Sequence, residues 1–190
     1  AKICLLMHNN PSSVSSENLK IIANKFCQTC DVVFSETTLE PHFLNIMYNI
    51  SDVTINIASN EGFGLSTLES VMAGTPIIAT NTGGLSDQMF HSDGSRGEWA
   101  YPITPDIRRL ASGGNVPYIY DDLCSTTSVV EALEFWHGKT SEERTECGLL
   151  GRANAVKNFG IENMIGGISS GLTNAIKNFK PIQAKKVIKV

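Results

Sequence analysis

Asn60 to Gly84 reads NEGFGLSTLESVMAGTPIIATNTGG. Two glutamates, Glu61 and Glu69, flank a Gly62-Phe63-Gly64 turn, and a helical stretch from Thr67 to Ala73 closes at Gly74-Thr75-Pro76. Upstream, Val53-Thr-Ile-Asn-Ile57 is an apolar, β-branched run that predicts a buried parallel strand. Downstream, Pro76-Ile-Ile-Ala-Thr80 predicts a second strand, buried on both faces by its composition. The window is therefore a strand–loop–helix–strand unit with its loop at the carboxyl end of the first strand. In open α/β sheets that edge binds ligands.

The loop chemistry narrows the ligand. Gly62 and Gly64 allow a tight turn and let bare backbone approach a bound molecule. The amides of Phe63, Gly64, Leu65 and Ser66 are expected to point out of a helix amino terminus, an anion site suited to phosphate. A carboxylate in the first helical turn, Glu69, is favoured by the helix dipole but repels a phosphate set against it. The two carboxylates should then meet hydroxyl groups, with phosphates held by amides between them. A nucleotide sugar has that layout.

Glu61, seven intervening residues, Glu69, then Gly74-Thr75-Pro76 and Gly83-Gly84 resemble the donor-binding signature of retaining glycosyltransferases, family 4 in particular. Ser51-Asp-Val-Thr-Ile55 is similar to the family's preceding strand. Gly83-Gly-Leu-Ser-Asp87 resembles its Gly-Gly-x-x-Glu, with Asp87 where a glutamate is usual. Gly151 to Phe159 resembles its closing helix, and the HNNPSS opening from His8 resembles some virus-encoded members. The resemblance implies an α/β, Rossmann-like, doubly wound parallel sheet, the carboxyl-terminal half of the two-domain GT-B architecture.

On residues 1–160 it implies a partial nucleotide-sugar-binding domain, with 103–120 as an insertion or flap. Residues 161–190 would be a terminal helix and basic tail that cross to an absent amino-terminal domain. Glu61 would be the catalytic residue, orienting the sugar and stabilising positive charge. Gly62, Phe63, Gly64, Leu65 and Ser66 would contact the sugar and diphosphate, and Glu69 the ribose hydroxyls. Retention by a front-face route needs no protein nucleophile, no bound metal and no cofactor besides the nucleotide-sugar co-substrate. The acceptor, a carbohydrate, lipid or protein, would bind mainly on the amino-terminal domain. Two other readings stay open: a nucleotide-sugar-binding module without transfer, and a GT-B-type epimerase or phosphorylase.

The family's donor domain also opens with a strand and an Arg/Lys pair that neutralises the diphosphate. Here Ala1-Lys-Ile-Cys-Leu-Leu-Met7 aligns with that domain's second strand, so the first strand is expected to be lacking. No Arg or Lys lies between Lys25 and Arg96, and the motif has no substitute cation near it in sequence. The chain is expected to be the donor part of a larger enzyme and inactive alone. Arg108 and Arg109, after the last expected parallel strand, are the remaining candidates for phosphate.

A chain of 190 residues suffices for one core, and 42% hydrophobic with 18% charged residues is ordinary for a globular protein. A net charge of −4 argues against nucleic-acid binding. The longest apolar runs are too short to span a bilayer, and these 190 residues contain no charged-then-apolar leader pattern. Five cysteines, with Cys27 and Cys30 as a lone C-x-x-C, predict buried reduced thiols and a cytoplasmic location. His8, His42, His91 and His137 lack metal-ligand spacing. The last 14 residues carry five lysines and no acid, which suits peripheral contact with an anionic membrane or acidic partner.

Periodicity places the remaining elements. Strands are expected over 2–7, 32–35 and 99–101, and a helix over 16–28 with Ser15 or Ser16 as cap. Further helices are expected over 41–48, 127–137 and 141–159. A last helix over 161–176 contains three glycines, which predict close packing or a bend.

Overall fold

The computed structural model describes residues 3–9, 18–111 and 118–181. The chain divides into two compact units, Ala1–Leu44 and Asn45–Val190. The expected Ser15 or Ser16 cap and most of the HNNPSS segment lie outside the described residues.

The first unit is a strand–helix–strand crossover. β1 (Cys4–His8) and β2 (Asp31–Ser35) pair in parallel, Cys4 opposite Asp31 and His8 opposite Ser35. Between them α1 (Leu19–Phe26) starts at Asn18, whose side chain accepts from the amides of Lys20 (3.1 Å) and Ile21 (3.3 Å). An asparagine side chain satisfies two of the orphan donors of a first turn. Helix α2 (Pro41–Ile50) begins at a proline, whose missing N–H costs nothing at a helix start.

In the second unit β3 (Thr54–Asn56), β4 (Ile77–Thr80) and β5 (Ala100–Ile103) form a parallel sheet in that order. Side chains on a strand alternate between faces, and β4 is fully buried on both. Ile77 and Ala79 pack with Val71, Leu85, Met89, Trp99 and Ala155. Ile78 packs with Ile103, Ala132 and Trp136 on the other face. The helical members of the first group come from α3 (Leu65–Ala73), α4 (Gly84–Met89) and α6 (Ser141–Phe159), those of the second from α5 (Thr126–His137). Helices thus cover both faces of a parallel sheet, the doubly wound arrangement expected from the sequence.

The Gly-Thr-Pro triplet has a mechanical explanation. Gly74 ends α3 with φ 90°, a left-handed conformation that glycine adopts without strain. The Thr75 hydroxyl donates to Tyr48 O at 2.7 Å, and Pro76 leads into β4. Helix α6 crosses α3 at this point: a Cβ on Gly148 would overlap the Gly74 carbonyl oxygen, and one on Gly151 would overlap Trp99. At its other end α6 opens with a capping box between Thr140 and Glu143. Arg144 donates to Trp136 O and Lys139 O at the end of α5 and pairs with Asp52 at 2.7 Å.

Several expectations are corrected. β3 is half-buried rather than buried, because it is an edge strand of its sheet, and Ile57 is 53% exposed. The stretch after β5 is not irregular throughout. β6 (Ile107–Leu110) and β7 (Tyr120–Leu123) form an antiparallel hairpin with cross-strand pairs Arg108–Asp122 and Arg109–Asp121. The cysteines are free thiols but none is buried: Cys4 is exposed and the other four are intermediate. The glycines of α7 (Ile161–Asn178) do not mark close packing, since added Cβ atoms at Gly166, Gly167 and Gly171 meet nothing within 4 Å. Among the described residues no helix is long and apolar enough to cross a membrane.

Candidate functional site

The site is assembled where the loops after β3 and β4 meet the β6–β7 hairpin. Gly83 and Gly84 let the first two loops touch. Gly83 has φ 49°, and a Cβ on it would overlap the Glu61 carbonyl oxygen. A Cβ on Gly84 would strike Gly62 O and the Cα of Phe63. With both side chains absent, Gly84 N donates to Glu61 O at 3.2 Å. From the core side the buried Gln88 donates to Phe63 O (2.5 Å) and Gly64 O (3.1 Å). Backbone carbonyls of the turn are thus held from two directions, and the Glu61 carboxylate accepts from Phe63 N at 3.4 Å and lines the cleft.

The hairpin is stitched to the same loop. Asp122 N donates to Ser59 O (2.9 Å), and Asn60 donates to the Asp121 carboxylate (2.7 Å). The Thr82 hydroxyl donates to the Asp122 carboxylate, also at 2.7 Å. Loop and hairpin enclose a cleft of about 480 Å³, lined by Asn60, Glu61, Gly62, Thr82, Gly83, Arg108, Tyr118 to Tyr120 and Asp122. An added Cβ at Gly62 would meet no protein atom within 4 Å, so packing does not demand that glycine; its bareness faces open space.

The predicted residues are distributed rather than gathered in one wall. Glu61 and Gly62 line the cleft. Phe63 sets its ring edge-on to Phe159, centroids 5.9 Å apart. Gly64 caps α3, and Leu65 and Ser66 lie exposed in its first turn, with no side-chain cap on that terminus. Glu69 lies in the second turn of α3, outside the cleft lining, and accepts from the Tyr48 hydroxyl at 3.0 Å. Asp87 is exposed in the first turn of α4. Arg109 is engaged within the hairpin, with Nε 3.3 Å and Nη2 3.1 Å from one Asp121 oxygen, whereas Arg108 reaches the cleft.

Sequence reasoning missed Tyr48, Gln88, Thr82 and the Asp121–Asp122 pair. Burial, and then the Glu69 carboxylate, raise the Tyr48 phenol above the ordinary tyrosine range. The folded chain therefore keeps that proton more tightly than the unfolded one. The stability it contributes is complete below the ordinary tyrosine pKa and is lost at higher pH. A phenolate absorbance titration is expected to retain a late alkaline step, and Tyr48→Phe to remove it; a loss of amplitude in the ordinary tyrosine step instead would place the phenol in open water.

Residues 26–106 match the family model for glycosyl transferases group 1. A D-inositol 3-phosphate glycosyltransferase of Streptosporangium roseum is 40% identical over 120 residues, 58% of this chain and 25% of that protein. An uncharacterized glycosyltransferase of Methanocaldococcus jannaschii, MJ1607, is 36% identical over 63 residues, 33% of this chain and 16% of that protein. Among solved structures, sucrose-phosphate synthase from Thermosynechococcus elongatus superposes with a TM-score of 0.66 at 17% identity, covering 92% of this chain and 39% of that one. Anabaena Alr3699/HepE in complex with UDP-glucose gives 0.61 at 13% identity, covering 89% and 40%.

In fold the chain thus resembles a carboxyl-terminal half of the GT-B architecture. Its resemblance in sequence is to glycosyl transferases group 1. It spans a quarter or less of these two curated relatives and about two fifths of the solved structures. The matches name neither family 4 nor a viral source.

Proposed function

We propose that this chain is the donor-binding half of a glycosyltransferase that moves a sugar from a nucleotide sugar to an acceptor with retention of configuration. The observation that carries the reading is the Glu61 carboxylate, set at the cleft on a turn whose backbone is held by Gly84 N–H and Gln88. In this reading Glu61 orients the sugar hydroxyls and offsets positive charge developing at the reacting carbon. The amides from Gly62 to Ser66 hold the diphosphate at the start of α3. Glu69, steadied by Tyr48, accepts from the ribose hydroxyls. The leaving phosphate assists removal of the acceptor proton, and no metal or further cofactor takes part. The acceptor binds on a part of the protein outside this chain, and the reaction takes place in the cytoplasm, where the thiols stay reduced. That the similar Anabaena protein was solved with UDP and with UDP-glucose supports a nucleotide-sugar donor.

The test is ligand-detected NMR of UDP-, GDP- and ADP-sugars with this chain and with Glu69→Ala. One donor should bind the parent and bind the variant about tenfold more weakly, the loss of roughly 1–3 kcal/mol that hydrogen bonds to a charged acceptor supply. Equal affinity for both chains would remove Glu69 from the site.

A further inference from the structure

A diphosphate carries negative charge into a cleft that already holds two carboxylates, Glu61 and Asp122. Such a ligand needs a cation, and the sequence around the motif offers none between Lys25 and Arg96. The fold brings one from elsewhere. Among the described residues lining the cleft, Arg108 is the only cation, and it stands on the hairpin opposite the Glu61–Gly62 turn. Its guanidinium is positioned by two contacts: Nε lies 3.4 Å from Asp122, and the group stacks 5.1 Å from the Tyr120 ring centroid. Asp122 is in turn held by the Thr82 hydroxyl. The Arg108 side chain is nevertheless 69% exposed, and its one ion pair is long and uses a single nitrogen. A guanidinium presents five N–H donors in a fork that fits phosphate oxygens, so most of its donor capacity faces solvent.

We propose that Arg108 is a phosphate-binding residue of this cleft, gripping the diphosphate of a nucleotide-sugar donor from the side opposite the glycine turn. The inference rests on the donor-site reading and deepens it. It sets the diphosphate between the Gly62–Ser66 amides and Arg108, and leaves the sugar hydroxyls to Glu61, a division that follows from the charges themselves. Tyr120, stacked on the guanidinium, acts as a positioning residue. The neighbouring Arg109 has no such role, because its guanidinium donates to Asp121 within the hairpin through both Nε and Nη2 and does not line the cleft.

The experiment is calorimetric titration of this chain with UDP, ADP and GDP, and with the nucleoside of whichever diphosphate binds. The variants are Arg108→Gln, Arg108→Lys and Arg109→Gln, each first checked for an unchanged melting temperature. The expected result is about tenfold weaker diphosphate binding by Arg108→Gln, a smaller loss in Arg108→Lys, and nucleoside affinity unchanged in both. Arg109→Gln should bind like the parent. Diphosphate affinity unchanged in Arg108→Gln would overturn the assignment while leaving the donor site standing. Equal losses for diphosphate and nucleoside, or the same loss in Arg109→Gln, would also overturn it, because the effect would then come from the hairpin's shape. Failure of the parent to bind any of the three diphosphates would overturn this inference, because Arg108 would then not hold a diphosphate, and would pass the donor reading to the complete enzyme.

Discussion

Replacing Glu61 by alanine is expected to slow sugar transfer by the complete enzyme about a hundredfold, or roughly 2.7 kcal/mol of barrier. The carboxylate sits on a tethered turn: its own carbonyl is bound by Gly84 N–H, and the carbonyls of Phe63 and Gly64 are bound by Gln88. A charge so fixed needs no reorganisation as positive charge builds on the sugar ring, and this is where an electrostatic contribution is largest. Glu61→Gln keeps the hydrogen bonds to sugar hydroxyls but loses the charge, so it should fall between the parent and alanine. Turnover number and donor affinity measured separately locate the effect. A loss confined to affinity would mean that Glu61 only anchors the donor, and full turnover in Glu61→Ala would remove it from the chemistry.

Gly148→Val is expected to destabilise the fold by about 3 kcal/mol, at the upper end of what overpacking costs. The atom that a Cβ would strike is the Gly74 carbonyl oxygen, part of a backbone rather than the tip of a side chain. Nothing flexible can yield, so α6 must lift from the end of α3. Gly166→Ala on α7 should have the opposite sign, gaining about 0.5–1 kcal/mol, because its Cβ enters open space and alanine is the better helix former. Urea unfolding of the two variants beside the parent checks both. A Gly148→Val midpoint at or above the parent's would mean that the two backbones are further apart than described.

The motif was legible because its parts are local. β4 announced its double burial through composition, and the glycine turn, the helix and the Gly-Thr-Pro entry follow one another within 25 residues. The Gly83–Gly84 pair was legible as a pattern, but its reason was not: the reason is a carbonyl of Glu61, more than twenty positions earlier. Tyr48, Gln88 and Thr82 were missed for the same cause. Each acts through long-range hydrogen bonds, which leave no periodic trace in sequence. The hairpin escaped because β6 and β7 have four residues each and a mixed polar pattern; cross-strand ion pairs rather than apolar alternation define its register. Exposure of the cysteines was misjudged because residue type sets only an average tendency to burial.

Gln88 has a consequence for how fast a ligand can dock. It is 2% exposed, and its own carbonyl accepts from the indole N–H of the core residue Trp99, so its grip on Phe63 O and Gly64 O is set when the core forms. An incoming molecule meets a turn whose shape was decided beforehand and has no loop to order. Capture by this side of the cleft should follow single-exponential kinetics, with a rate that rises linearly with ligand concentration and never levels off at a loop-folding step.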